Sequence, residues 1–467
     1  MSRIGYSALA IGLALSPAFA QTPSIAWDQQ KAEILRHHRS LIQIDTSNPP
    51  GNETKVVEYI KKVFDAEGIP TQTFALDSAR GNLVARLKGN GSKRPVLILA
   101  HTDVVGVQRE KWPMDPFGAV LKDGYIWGRG SNDDKDKLAS NIMVMLLMKR
   151  NAVKLDRDVI FLAEAGEEAT PHWGIDFMVG QHFDQIEAEY ALTEGGTATL
   201  ENGRVTIIQI ATTEKVPRGV RLVVNGTSGH ASVPRLDNAI VHLTAAMTNL
   251  ARWETPMRLN DTTRAYFERL ATISSPENAA RYNGLMDAAR APAIQRYLAE
   301  HDPVRYSMLR TSVVPTILKA GFRQNVIPSE AEATVDIRAL PDEDITKFYD
   351  EMRRVMADPA IRIEPLPEER PAAPPSRIDT DMFRVLEQVS KRMYPGIVVL
   401  PTMSTGASDM ARLRARGVQS YGIGPAVTDT DRVNYGAHSD VERLPEASLY
   451  KFVEFTWNAV TGIAASR

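Results

Sequence analysis

Four short polar islands of this chain carry residues able to do chemistry, and each follows a predicted strand or lies in the turn after it. Open α/β sheets place their sites at such strand ends. The first island is Ala100-His101-Thr102-Asp103. An imidazole at His101 is a cation ligand, and Asp103 is close enough in sequence to hydrogen-bond the other ring nitrogen and fix its tautomer. By itself this spacing fits an ordinary strand-end histidine equally well. The second island, Gly128-Arg129-Gly130-Ser131-Asn132-Asp133-Asp134-Lys135, ends a glycine-rich excursion with two carboxylates just before an apolar helix. A carboxylate has two oxygens and can bridge two cations, whereas Asp134 fits a helix N-cap. The G-x-x-x-x-G-K-[ST] spacing of a phosphate loop is missing. The third, Ala163-Glu164-Ala165-Gly166-Glu167-Glu168, sets two carboxylates side by side. Next to a cation such a pair divides its labour, one ligating and one moving a proton. The fourth is Leu192-Thr193-Glu194-Gly195-Gly196, and a late segment, Tyr435-Gly436-Ala437-His438-Ser439-Asp440, completes the group. A His/Asp/Glu/Glu/His set without cysteine suits zinc or a similar borderline cation.

Composition narrows the classes around that chemistry. The 467 residues are 43% hydrophobic and 24% charged, with 55 Lys+Arg against 57 Asp+Glu and a formal net charge of -2. Such balance argues against nucleic-acid binding. The absence of cysteine excludes disulfides, thiolate metal sites and thiol nucleophiles. Residues 1–20 read as a secretory leader: Arg3 is the basic start, Ala8 to Leu15 the apolar run and Ala18-Phe19-Ala20 the cleavage site. That run is too short to span a bilayer, which needs roughly 18 residues. The expected mature protein therefore starts at Gln21, is secreted or periplasmic, and has no membrane span.

Positioning the islands requires an α/β scaffold. From Trp27 to about Thr213 helix and strand patterns alternate, with a helix at Lys55–Glu67 and strands at Asn82–Leu87 and Val96–Ala100. A strongly apolar helix at Lys137–Arg150 and a strand at Val159–Ala163 follow. This alternation predicts layers around a mainly parallel sheet. Near Pro217 the texture changes to a strand at Gly219–Val224 and a helix at Asn238–Leu250. An Ala- and Arg-rich helical stretch comes next, then a strand at Ala331–Ala339 and a helix at Glu343–Met356. The five prolines of Pro365–Pro375 mark a linker. The expected plan is a catalytic domain over 21–214 and 369–467, interrupted by a smaller α+β domain over 215–368 with a helical insertion at about 255–310.

Eight motifs in order, HTDVV, GRGSNDDK, AGEE, TEGG, GTSGHASVP, QNVIP, VDIR and GAHSDVE, span nearly the whole mature chain. In them the sequence resembles the M20 family of co-catalytic metallopeptidases, which includes carboxypeptidase G2-like, carboxypeptidase S-like and aminoacylase-like enzymes. The resemblance implies two divalent ions per subunit, most simply Zn2+ with Co2+ or Mn2+ as alternatives, and a homodimer formed through the inserted lid domain. It implies that His101, Asp133 and Glu194 hold one ion and Asp133, Glu168 and His438 the other. By the same resemblance Glu167 is the general base for a water shared by the two ions, and Asp103 is the partner of His101. His230 resembles a lid histidine that stabilises the oxyanion in the partner's site, and Asn325 and Arg338 resemble substrate contacts. Arg338 fits equally well as an ion pair with Asp336 or Glu332. Many relatives carry Thr-Asp-x-Arg late in the catalytic domain, its arginine receiving a substrate carboxylate. Here the segment is Thr405-Gly406-Ala407-Ser408-Asp409-Met410-Ala411-Arg412, so Ala411 stands at the arginine position. His37, His38, His172, His182, His242 and His301 match no motif and are expected to be structural or solvated. The expected activity is hydrolysis of a peptide or amide bond next to an amino acid, of exopeptidase or carboxypeptidase type. The alternatives are an N-acyl-amino-acid amidohydrolase and, from a different class, a non-catalytic peptide-binding dimer. No ligand and no base is missing, which disfavours the last.

Overall fold

A computed structural model describes residues 23–367 and 370–466. The leader expected over residues 1–20 lies outside the described residues.

The strands Val159–Glu164, Val96–His101, Tyr190–Thr193 and Gln419–Gly422 lie side by side and parallel. Their residues are almost entirely buried, because alternate side chains face two different helical layers. Val96, Ile98, Phe161 and Ala163 join a core under the helices Trp27–Ile42, Thr54–Ala66, Lys135–Arg150, Asp381–Met393 and Glu446–Ala464. Leu97, Leu99, Ile160 and Leu162 face the helices Ile175–Gln181 and Met410–Ala415. The helix Lys135–Arg150 is buried on nearly every side, which accounts for its lack of a polar face.

The sheet as a whole is mixed rather than mainly parallel. Asn82–Leu87 runs antiparallel to Val159–Glu164, and Thr71–Phe74 antiparallel to Asn82–Leu87. At the other end the long strand Arg204–Glu214 is antiparallel to Gln419–Gly422 and Thr197–Glu201 but parallel to Val398–Ser404. The hairpin Thr197–Arg204 supplies the reversal, because its short turn can join only antiparallel strands.

A second sheet is antiparallel throughout, in the spatial order Arg362–Pro365, Val220–Asn225, Glu330–Ala339, Ser312–Ala320, with Val216–Pro217 on the end of Glu330–Ala339. Along Glu330–Ala339 buried and wetter positions alternate strictly, as one covered face requires. The helices Ala239–Arg252 and Ile345–Met356 cover that face through Leu243, Leu250, Phe348 and Met352. Ser312–Ala320 is its outer strand, and Val314, Ile317 and Leu318 on it are exposed.

The helical stretch resolves into Asp261–Ala271, Pro276–Gly284, Ala291–His301 and Pro303–Ser307. The expectation grouped it with the inserted unit. Its Phe267 and Leu270 share a core both with Leu340, just after Glu330–Ala339, and with Leu400 and Met403 of the large sheet. Tyr282, Leu298 and Met308 complete that core, so these helices cap the strand Val398–Ser404.

Candidate metal centre

Three parallel strands deliver three of the five donors. His101 is paired in register with Glu164 and Ile98 with Leu192, so the turns carrying His101, Glu167-Glu168 and Glu194 leave the sheet at nearly one level. Gly166 makes the middle turn possible: its φ is +81°, and a Cβ there would come within 2.4 Å of the Thr170 carbonyl oxygen.

Two donor groups result, His101 with Asp133 and Glu194, and Asp133 with Glu168 and His438, and within each the ligand atoms lie within 4.8 Å of one another. Asp133 is common to both. Its Oδ1 lies 3.1 Å from His101 Nε2 and its Oδ2 3.3 Å from His438 Nε2. His438 Nε2 is also 3.0 Å from Glu168 Oε2. His438 holds a left-handed backbone (φ 64°), which a residue with a Cβ rarely adopts. The loop around it is braced by Arg443, whose guanidinium stacks on Tyr435 and Tyr125 and pairs with Asp431 at 2.6 Å.

Charge in this cluster calls for cations. Burial first, then the neighbouring Glu167 and Asp133 carboxylates, push Glu194 well above the usual carboxylate range. Asp133 and Glu168 pull His438 up to about 10. The acidic nitrogen and oxygen donor set carries charge that a divalent ion would neutralise, so the residues present fit two such ions.

Asp103 meets His101 and has a further task as well. His101 Nδ1 lies 3.0 Å from the main-chain carbonyl oxygen of Asp103 and 3.5 Å from the carboxylate. The tautomer is therefore fixed chiefly by the backbone. The carboxylate also accepts the main-chain N–H groups of Glu167 and Glu168, each at 3.1 Å, and Asn48 Nδ2 at 2.7 Å. Asp103 thereby clamps the turn that carries both glutamates.

Glu442 performs the same service for the glycine-rich loop. It accepts from Arg129 at 2.7 Å, Gly130 N at 3.1 Å and Asn132 N at 2.8 Å, joining the loop before Asp133 to the segment after His438. Its place in GAHSDVE was a legible signal. His38, whose Nε2 is 3.0 Å from the Ser131 carbonyl oxygen, supports the loop from behind and had none.

Glu167 stands outside both donor groups, and its Oε1 accepts from Arg370 Nη2 at 2.6 Å. Nothing around Arg370 in the sequence announces it. His230 and Asn325 do meet: Gly229–His230 pairs with Val326–Ile327, and Ala231 N donates to the Asn325 carbonyl at 3.1 Å. The His230 ring is exposed, its Nδ1 accepting from Ser232 N at 3.1 Å. Arg338 forms the ion pair, its Nε 3.0 Å from Asp336 Oδ1, while Glu332 pairs with Lys319 and Arg221. Ala411 faces a small cavity, and Arg412 is engaged by Asp176.

Residues 97–461 match Peptidase family M20/M25/M40, and the chain belongs to this family. It is an enzyme of the metallopeptidase and amidohydrolase class that the family comprises. It is 29% identical over 448 residues to the N-fatty-acyl-amino acid synthase/hydrolase PM20D1 of Xenopus tropicalis, a match covering 92% of this chain and 85% of that one. In fold it is similar to an M20 family metallo-carboxypeptidase from Sulfolobus solfataricus, with a TM-score of 0.68, 18% identity and coverage of 92% and 99%. It is also similar in fold to a dinuclear metal binding peptidase of the M20 family from Bacillus subtilis, with a TM-score of 0.59, 15% identity and coverage of 92% and 98%. Among the described residues no helix is long and apolar enough to cross a membrane.

Proposed function

We propose that this chain hydrolyses a peptide or amide bond next to an amino acid, as an exported enzyme of carboxypeptidase type with two divalent ions. The observation that carries the reading is Asp133, whose two oxygens face two histidines of separate donor groups while Glu167 stays outside both. Bound there, two cations would polarise the scissile carbonyl and make a water acidic enough to yield its proton near neutral pH. Glu167 takes that proton and returns it to the leaving amine. Asp103 keeps Glu167 and Glu168 pointing to their separate tasks by holding both of their amides. His230, exposed on the short two-stranded pairing of Gly229–His230 with Val326–Ile327, supplies a hydrogen bond to the oxyanion of the partner subunit's site.

A second reading, an N-acyl-amino-acid amidohydrolase, is favoured by the space beside the centre. A cavity of about 280 Å³ lined by Asp133 and Glu194 adjoins one of about 500 Å³, and Gly195, Thr197 and Arg432 line both. The larger one reaches Tyr266, Met308, Leu400 and Met403 among polar side chains such as Gln209, Asp302 and Arg305, so part of its wall suits an acyl chain. The relative from Xenopus tropicalis, by its name, acts on fatty-acyl amino acids.

Both readings share one test. Glu167→Gln should keep its metal content while kcat falls by at least about 10²-fold, the scale of a lost general base. Loss of a metal from Glu167→Gln, with both retained in Glu168→Gln, would exchange the two roles. A panel of dipeptides and N-acyl amino acids of rising chain length then separates the substrates.

A further inference from the structure

Arg370 enters the site from the segment that leads from Arg362–Pro365 back to the large sheet. Its carbonyl oxygen accepts from Arg218 Nη1 at 2.9 Å, which pins the backbone there. The side chain is 12% exposed; Nη2 donates to Glu167 Oε1 at 2.6 Å and Nη1 lies 3.4 Å from Asp409 Oδ1. The other arginines nearby are committed: Arg412 to Asp176, and Arg414 to Glu214 at 2.9 Å. Beside Arg370 lies the small cavity bounded by Ala411, Arg414, Lys215 and Pro371.

This arrangement is odd for a general base. In the resting state Glu167 already has an ion-pair partner, and Arg370 Nη2 occupies the carboxylate oxygen that a water would approach. A hydrolase acting next to an amino acid must also place an anionic carboxylate near that base, and a bare carboxylate beside Glu167 would be repelled.

We propose that Arg370 receives the free carboxylate of the substrate and in doing so releases Glu167 to act as base. The inference rests on the hydrolase reading above. A guanidinium binds one carboxylate through two parallel N–H bonds, and the incoming anion competes with Glu167 for Nη2. No covalent bond changes in this exchange: one ion pair replaces another, and Asp409 remains on Nη1. The consequence is selectivity, because a substrate whose carboxylate is capped as an amide leaves Glu167 tied to Arg370.

The test uses the best substrate of the panel and its C-terminal primary amide, with the metal-loaded full chain. The wild type should prefer the acid. Arg370→Ala should reduce that preference about 10²-fold, chiefly through KM of the acid, the scale of removing one partner of a close charge pair. Arg370→Lys should keep part of the preference, since it keeps the charge but not the fork. Adding Ala411→Arg to Arg370→Ala should restore much of it by returning a guanidinium to the space that the Arg370 side chain vacates. Equal losses on acid and amide in Arg370→Ala and Arg370→Lys, with metals bound, would overturn the proposal and leave Arg370 a brace for Glu167. Should Arg370→Ala not fold, calorimetric titration of the metal-free wild type and Arg370→Lys with acid and amide decides, and equal affinities overturn it. A wild type that cleaves neither acids nor amides sinks the hydrolase reading itself.

Discussion

Asp133 offers one oxygen to each of two histidines, while His101 and His438 each belong to a single donor group. The consequences of removing them should therefore differ in kind. Asp133→Ala is expected to lose both ions, whereas His101→Ala and His438→Ala should each lose one, as counted by elemental analysis after dialysis. One ion lost and the other bound normally in Asp133→Ala would remove the bridge. Asp103 acts on the same cluster without a place in either group. Holding the Glu167 and Glu168 amides, it governs where two side chains point, and Asn48 neutralises part of its buried charge through a 2.7 Å hydrogen bond.

Between elements, ion pairs tie the helices that cover the large sheet. Glu33 of Trp27–Ile42 and Glu67, just after Thr54–Ala66, both meet Arg150 at the end of Lys135–Arg150, each at 2.6 Å. The Arg150 hydrogen bond, against an opposing burial term, holds the Glu33 carboxyl down to about 2 from the ordinary 4.5. The folded chain thus releases the Glu33 proton more readily than the unfolded one. Its contribution is present above pH 4.5 and is lost as the pH falls from 4.5 to about 2. Glu33→Gln should accordingly lower the melting temperature at pH 7 and cost about 1 kcal/mol or less, since the pair is partly solvated. The difference from wild type should close as the pH approaches 2 in matched thermal melts. A gap that persists there would assign the effect to packing.

At the scale of the molecule, the second sheet ends in the strand Ser312–Ala320, which among the described strands is paired on one side only. Ser312–Ala320 presents exposed Val314, Ile317 and Leu318, with the 84% exposed Phe322 just beyond. An open, apolar edge is a template for pairing with a second copy. If the dimer forms there and His230 serves the neighbouring site, Val314→Lys with Leu318→Lys should give a monomer in analytical ultracentrifugation with metals retained and little activity. His230→Ala should keep both metals and the dimer and lose about 10²–10³ in kcat, the scale of one oxyanion donor. Mixing Glu167→Gln with His230→Ala should restore activity by subunit exchange. Absence of rescue, with exchange verified by a tagged subunit, would mean that His230 acts within its own chain or not at all.

The donors, their grouping at strand ends and the alternating α/β plan were legible in the amino-acid order, because ligand chemistry restricts residue type and strand burial imprints local apolar runs such as Val96–Ala100. The strand order was not, since a local pattern cannot say which runs pair or in which direction. The mixed ends of the sheet follow from a hairpin at Thr197–Arg204 and from the return of Val398–Ser404 beside Arg204–Glu214. The seat of the helices Asp261–Ser307 against Leu400 and Met403 depends likewise on a distant strand. Hardest to read were contacts between groups far apart in the chain: Arg129 with Glu442, and Arg370 with Glu167. Each residue alone fits a solvated charge. Only the closing of the chain into one buried site makes such charges seek one another, because an unpaired charge there costs far more than a paired one.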